Sequence, residues 1–323
     1  MGVNLKDIVP HEPINMEDLK GKVIVIDALN SIYQFLSIIR QKPDGTPLMD
    51  SHSRVTSHLS GLLYRTTRLV ELGIKPVYVF DGKPPELKRK EIQERKEIKE
   101  EAEKEWKKAL EEKRLEDAAK FAKRTSRFTD EMLEDSKKLL GLMGIPYVQA
   151  PSEGEAQCSY MCKRNDAFAV GSQDYDSLLF GAPRIVRGLT LSGKFKLTII
   201  YLDSVLSGMN LSREKLIDIA ILIGTDFNEG IRGIGPKKAL KIISENKLSE
   251  IELDFDIDAI RKIFLEPAVT NDYEIKWSEP DENALVEFLC KEHDFSEQRV
   301  TKASNNLKNA LKEFSQRDLS AWF

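Results

Sequence analysis

The chain has 323 residues and a mass of 36.8 kDa, of which 41% are hydrophobic and 32% charged, a globular and charge-rich composition able to bury a proper core. Its formal net charge of −4 excludes a uniformly basic coat, although a local basic stripe or an acidic site offset by bound cations stays compatible with it. No apolar run approaches the roughly 20 residues that span a bilayer. The start, MGVNLKDIVP, lacks the apolar stretch of a secretory leader, and Lys6 stands where a myristoylation motif wants Ser or Thr, so no membrane partner is expected.

Apolar, β-branched runs alternate with helical patterns along the chain, which predicts an α/β domain with a mainly parallel sheet. KVIVID (Lys22–Asp27) reads as a first buried strand, Val55–Leu72 as a helix and PVYVFD (Pro76–Asp81) as a second strand. Leu87–Arg124 then has no glycine or proline and holds 14 basic and 11 acidic residues, a local charge of +3. Its apolar stripe is thin, with Ile98, Ala102, Trp106 and Leu110 recurring at i,i+4, so the helix should stand partly clear of the core. A solvated, salt-bridged face is the plain alternative for such a run. Asp130–Leu142 reads as a helix, IPYVQA (Ile145–Ala150) as a third strand, AFAVGSQD (Ala167–Asp174) as a fourth and KLTIIYL (Lys196–Leu202) as an edge strand. A helical run over Arg213–Ile223 precedes GIRGIGPKKALKII (Gly230–Ile243), and Leu248–Leu311 reads as helical and acidic with short connectors. Of the three cysteines, Cys158 and Cys162 have helical spacing and no histidine close in sequence, and Cys290 stands apart; packing thiols are expected rather than a metal site.

Several acids fall where strands end. Asp27 closes the first run and Asp81 the second; Asp174 and Asp176 follow the fourth as D-Y-D, Glu153 and Glu155 follow the third as E-G-E, and Asp226 follows a helical run. In open α/β sheets the carboxyl ends of the strands line the ligand crevice, so neighbouring strand ends would gather these acids. Crowded carboxylates force protonation or demand cations, and oxygen-only ligands select hard ions such as Mg²⁺ or Mn²⁺. Taken singly, each acid is as well explained as a helix cap or turn residue; taken as a set they point to two ions suited to in-line phosphoryl chemistry.

GIRGIGPKKA combines tight-turn glycines with a proline suited to a first helical turn and with Lys237, Lys238 and Lys241. A short glycine loop opening a helix presents N–H groups to a phosphate, as a helix-hairpin-helix element does on a duplex backbone. A plain inter-helix turn is the alternative.

The strings VIDALNSIYQFL, VFDGKPPELK, MGIPYVQAPSEGEAQ, GSQDYDSLLFG, RGIGPKKAL and KWSEPDENALVEFLC resemble the flap endonuclease family of the archaeal and eukaryotic type, and the resemblance runs from Met1-Gly2 to Phe323. It implies a PIN-like, doubly wound catalytic domain in which Asp27, Asp81, Glu153, Glu155, Asp174, Asp176 and Asp226 serve two Mg²⁺ ions, with Mn²⁺ as a substitute. It makes Lys88 and Arg95 active-site cations, Tyr33 a base-stacking residue and Gly2 a mature amino terminus close to the metals. Residues 87–124 become an arch through which a 5′ flap passes, and the loop of Gly230, Gly233 and Gly235 takes a K⁺ that bridges to a DNA phosphate. QRDLSAWF is similar to the sliding-clamp interaction box, of the kind that binds proliferating cell nuclear antigen, through Gln316, Leu319, Trp322 and Phe323; its Trp-Phe pair stands where Phe-Phe is common. The absence of a basic extension looks archaeal. Phe227 stands where a tyrosine is frequent, and Gln173 where many members carry Glu.

The resemblance implies one nuclease domain over residues 1–315 and a clamp-binding tail over 316–323. Within the domain are an N-terminal region to about 125, an internal region of about 126–250 with the helix-hairpin-helix at 213–243, and a C-terminal helical region over 251–315. The expected activity is Mg²⁺-dependent endonucleolytic and 5′–3′ exonucleolytic hydrolysis at the junction of a 5′ flap, in Okazaki-fragment maturation and long-patch repair. A monomer is expected, in the cytoplasm of an archaeon or the nucleus of a eukaryote. The rivals are an excision-repair nuclease or junction resolvase of the same superfamily, and a non-catalytic junction or clamp adaptor.

Overall fold

The computed structural model of the chain describes residues 2–41, 45–112, 114, 117, 120–121, 128–189 and 196–320, with the side chains at 95, 96, 110 and 315–320 left outside. Its strands are β1 (Glu12–Pro13), β2 (Val23–Asp27), β3 (Lys75–Phe80), β4 (Tyr147–Gln149), β5 (Ala169–Gly171), β6 (Arg184–Arg187) and β7 (Thr198–Tyr201). They form one sheet in the order β1-β7-β6-β5-β2-β3-β4. The five strands from β6 to β4 run parallel, while β7 is antiparallel to both β6 and β1.

Alternation along the strands builds two cores. Ile24, Ile26, Tyr78 and Phe80 face one side of the sheet, and Val25, Val77 and Val79 face the other, with Val25 opposite Val77 in register. Both faces are apolar because helices cover both, which is why these strands read as unbroken hydrophobic runs. The first face is covered by α1 (Ala28–Ile38), α2 (Ser57–Glu71), α4 (Asp130–Leu142) and α12 (Glu297–Ser320), through Phe35, Leu62, Leu139 and Leu307. The second is covered by α5 (Gly154–Lys163), α6 (Asp176–Leu179), α7 (Leu202–Met209), α8 (Arg213–Ile223), α9 (Pro236–Ser244) and α10 (Ile257–Leu265). Helices α3 (Arg89–Glu111) and α11 (Glu282–Val286) are also present among the described residues. This is the doubly wound α/β arrangement expected. The chain crosses from one side of β2 to the other between β4 and β5, so the topological switch point lies between β2 and β5, where a ligand crevice belongs.

Three expectations need correction. Lys196–Leu202 supplies β7, but β7 is not an edge, since the two-residue β1 pairs along its outer side. Neither β1 nor β6 has a sequence signal: Glu12–Pro13 is too short for any period, and RIVR holds only two apolar residues between arginines. Leu248–Leu311 is not helical throughout, because residues 266–281 contain no helix. Pro267 and Pro280 bracket that stretch, and it is pinned to the body by the Trp277 indole N–H on the Pro76 carbonyl at 2.9 Å and by the Ser278 N–H on the Gly144 carbonyl at 3.0 Å. Finally, α3 stands partly clear as expected, but Ile98 is 60% exposed; the seam toward the body runs through Lys99, Ala102, Trp106 and Ala109.

No described helix is long and apolar enough to cross a membrane. Cys158 and Cys162 are buried free thiols, as expected, and Cys290 is half-buried.

Candidate active site at the carboxyl edge of the sheet

The seven acids arrive from four strand ends and one helix end. Asp27 is the last residue of β2 and caps α1, accepting the Asn30 N–H at 3.0 Å. Asp81 follows β3 and accepts the N–H of Gly154. Glu153 and Glu155 lie at the start of α5, just past β4, yet neither merely caps the helix. Glu153 makes no cap hydrogen bond and instead meets Lys88, while Glu155 turns inward to accept the hydroxyls of Ser172 at 2.9 Å and Ser177 at 3.3 Å. Asp174 and Asp176 follow β5; Asp174 accepts the Asn30 side-chain amide at 2.6 Å, and Asp176 accepts the Val3 N–H at 2.9 Å. Asp226 lies in the turn after α8, where Thr225 and Asn228 bridge.

Electrostatics bind the set together. Burial, followed by the repulsion of Asp81, raises the Asp27 carboxyl well above the usual range. Glu155 is raised in the same way, by burial and then by Asp176, Asp174 and Asp27. Burial and then Asp226 push Asp176 up to about 7. Asp81 and Glu153 are raised by burial despite Lys88 beside them. Each of the seven acids feels at least one other, so the strand-end inference of a single cluster holds for all of them.

The internal cation is Lys88, at the end of the 3₁₀ turn Glu86–Lys88 that leads into α3. Its ammonium pairs with Glu153 and lies 3.2 Å from Asp226, with 14% of the side chain exposed. Burial works against that charge, but Glu153, Asp226 and Asp81 outweigh it and hold its pKa above the ordinary lysine value. Among the described residues no three carboxyls close on one point as a finished chelate; the ammonium lies among them instead. The donor set is nevertheless all oxygen, crowded, and reluctant to ionise without a cation, which is the chemistry that hard divalent ions satisfy.

Gly2 lies against the D-Y-D pair so closely that a Cβ there would stand 2.5 Å from Asp176 Oδ2, which only glycine avoids. Tyr33 on α1 meets the Phe128 ring in a tilted contact at 6.0 Å, and the Lys99 ammonium lies 4.4 Å from the centre of its ring. The side chain of Arg95 lies outside the described residues. After Asp226, α8 and α9 pack against each other across the glycine loop. Gly230 and Gly233 have φ of +72° and +83°, Gly235 is the N-cap and Pro236 the first residue of α9. Lys237 and Lys238 are exposed beside that helix start. The backbone at Gln316 and Leu319 is helical as part of α12, but their side chains, and Trp322 and Phe323 altogether, lie outside the described residues. Sequence reasoning missed Asn30, Ser172 and Ser177; only Asn30, three residues past a strand-end acid, carried a signal.

Residues 1–102 match the XPG N-terminal domain and residues 144–226 the XPG I-region. Flap endonuclease 1 of Pyrococcus horikoshii is 55% identical over all of this chain and 98% of its own length. The chain belongs to the flap endonuclease family. A second member, flap endonuclease 1 of Methanothermobacter thermautotrophicus, is 53% identical over the whole of both chains. Among solved structures, flap endonuclease-1 from Methanococcus jannaschii superposes with a TM-score of 0.81 at 46% identity, covering 97% of this chain and 99% of that one. The catalytic core of Rad2 in complex with DNA substrate superposes with a TM-score of 0.72 at 25% identity, covering 95% and 100%. This flap endonuclease therefore shares its family's α/β nuclease fold along almost its whole length.

Proposed function

We propose that this flap endonuclease hydrolyses a DNA phosphodiester where a 5′ flap leaves the duplex, using two divalent cations held by its seven acids. The observation that carries the reading is the convergence of Asp27, Asp81, Glu153, Glu155, Asp174, Asp176 and Asp226 into one electrostatic cluster at the switch point, with Lys88 as its internal cation. Mg²⁺ ions, or Mn²⁺ in their place, would neutralise that cluster and supply Lewis acidity to the scissile phosphate and the attacking water. The chain's own residues do the rest. Lys88, which pairs with Glu153 and Asp226, would donate to a developing oxyanion on the scissile phosphate, and Arg95 would join it from the next turns of α3. Tyr33 offers a ring face to the base beside the cut.

The exposed start of α9 would grip duplex phosphate through backbone N–H groups, Lys237 and Lys238, and the Gly230, Gly233 and Gly235 loop would hold a K⁺ that adds positive charge there. Such contacts choose structure rather than base sequence, as does an arch over residues 87–124 that admits only a single-stranded flap. The products would be a 5′-phosphate and a 3′-hydroxyl ready for ligation, which suits Okazaki-fragment maturation and long-patch repair in an archaeal cytoplasm. In this reading residues 1–315 act as one monomeric nuclease domain. The tail 316–323 docks on a sliding clamp through Gln316, Leu319, Trp322 and Phe323.

The test is cleavage of an end-labelled double-flap DNA beside single-strand, duplex and four-way-junction controls, with Mg²⁺ or EDTA. Mg²⁺-dependent cutting at one position beside the 5′ flap is expected. Symmetric cutting of the four-way junction, or tight binding without cutting, would overturn the reading. Asp174→Ala should abolish cutting while flap binding persists.

A further inference from the structure

The turn that carries Asp174 and Asp176 is braced by the guanidinium of Arg187. Arg187 ends β6, whose parallel neighbour β5 leads into that turn. Gly171 pairs with Val186, so Arg187 lies one step past the last paired residues, beside the link from Ser172 to Gln173. Its Nε–H and Nη2–H both donate to the Gln173 carbonyl, at 3.1 and 2.7 Å, and its Nη1–H donates to the Tyr175 hydroxyl at 2.6 Å. The guanidinium carbon also lies 4.3 Å from the centre of the Tyr175 ring. Among the described residues Arg187 makes no ion pair with a carboxylate, so it neutralises none of the acids directly; it holds the residues on either side of Asp174.

The brace continues beyond Tyr175, which is 4% exposed. Its hydroxyl oxygen lies 2.9 Å from His11 Nε2, and the two rings meet edge to face at 5.7 Å. Arg187 donates to that hydroxyl, whose own proton can go to His11 Nε2 in the neutral tautomer protonated on Nδ1. The imidazole is held to the neutral form that this requires, by burial first and then by the charges of Arg187 and Lys6. A continuous set of contacts thus runs from the N-terminal segment through Tyr175 and Arg187 to the peptide carrying Asp174. The same N-terminal segment reaches the second acid directly, through the Val3 N–H on Asp176.

A planar fork that makes three hydrogen bonds fixes orientation in a way that a lysine's single ammonium does not. We propose that Arg187 is a positioning residue, whose hold on the Gln173 carbonyl and the Tyr175 hydroxyl presents Asp174 and Asp176 to the divalent cations. The proposal rests on the metal-binding reading of the acids, and in it Arg187 acts through Gln173 and Tyr175 rather than on the cations or the DNA. Partners that orient metal ligands typically change metal affinity or activity about 10–100-fold when removed.

The experiment compares wild type, Arg187→Lys and Tyr175→Phe. Mn²⁺ binding to the DNA-free protein is measured by calorimetry, thermal unfolding serves as a fold control, and flap cleavage is titrated with Mg²⁺. Arg187→Lys should bind Mn²⁺ at least about tenfold more weakly and need correspondingly more Mg²⁺ for half-maximal cutting, with an unchanged KM for DNA. Tyr175→Phe should move the same way by about fivefold, the worth of one ordinary hydrogen bond. Wild-type Mn²⁺ affinity in both variants would overturn the proposal. So would a loss of cutting that appears only as a raised KM, because Arg187 would then act on DNA. If Arg187→Lys does not fold, wild-type affinity in Tyr175→Phe is enough to overturn it. Should the wild type bind Mn²⁺ yet cut no flap, the nuclease reading fails while the calorimetry still decides the role of Arg187.

Discussion

Lys88 places a positive charge inside the acid cluster, its ammonium shared between Glu153 and Asp226 at the foot of α3. Removing one member of a buried pair leaves the other charges uncompensated, which typically costs about 3–5 kcal/mol. Lys88→Met should therefore destabilise the metal-free protein by that order, and added Mg²⁺ should recover most of the loss, since divalent ions replace the missing charge. Thermal unfolding with EDTA and with Mg²⁺ reads both effects. Cutting should fall by about a hundredfold or more even at saturating Mg²⁺ if Lys88 makes the transition-state contact proposed for it, because Mg²⁺ does not restore that contact. An equal Mg²⁺ response in wild type and variant would show that Lys88 does not share the carboxylates with the cations.

At the scale of elements, the α8–α9 pair exposes Lys237 and Lys238 at the start of α9, while Ile243 and Ala239 on the same helix are buried. Phosphate contacts release counterions, so the double variant Lys237→Ala, Lys238→Ala should bind flap DNA more weakly and lower the slope of log affinity against log salt by about 2. Fluorescence anisotropy across a salt series checks this; an unchanged slope would place the duplex elsewhere. The same scale shows what could be read beforehand. Strands β2 and β3 were legible because two buried faces make their apolar runs continuous, and α8 was legible to the residue because Ser212 caps it and Gly224, at φ +111°, ends it. The acids were legible as a set because each follows a strand or helix end. Strands β1 and β6 were not, since two residues or two apolar side chains carry no period. The seating of Lys88 between Glu153 and Asp226, and the hold of Asn30 on Asp174, join residues 65 to 144 positions apart, and no local pattern encodes such a pair.

At the scale of the molecule, two titrations oppose each other. Asp176 keeps its proton up to about pH 7, whereas an unfolded aspartate loses it near 3.8. Its contribution to stability is thus fully present at low pH and is lost as pH rises through that window. Cations that claim the carboxylate must expel the proton, so Mg²⁺ binding near pH 6 should release protons, visible as a buffer-dependent calorimetric enthalpy; no buffer dependence would contradict the raised carboxyls. His58 on α2 works the other way. Burial, and then His293 beside it, push its imidazole down to about 3, and neither ring nitrogen has a hydrogen-bond partner among the described residues. The unfolded chain takes up a proton below about 6.5 that the folded chain refuses, so stability is lost as pH falls from there. Between pH 7 and 5 that amounts to about 2 kcal/mol. Urea unfolding with Mg²⁺ present should show that His58→Leu flattens this acid limb relative to wild type.

The sheet order has a further consequence for a chain cut in two. A single break between residues 112 and 128 would give one fragment carrying β1, β2, β3, Asp27, Asp81 and Lys88, and another carrying β4 to β7 with the other five acids. In the order β1-β7-β6-β5-β2-β3-β4 the strands of the two fragments interleave, so each piece is flanked by the other across three strand junctions. Neither fragment holds a complete acid set, and neither can leave without breaking the centre of the sheet. A nicked preparation should therefore migrate as two bands under denaturing conditions, yet sediment as one particle and bind cations as the intact chain does.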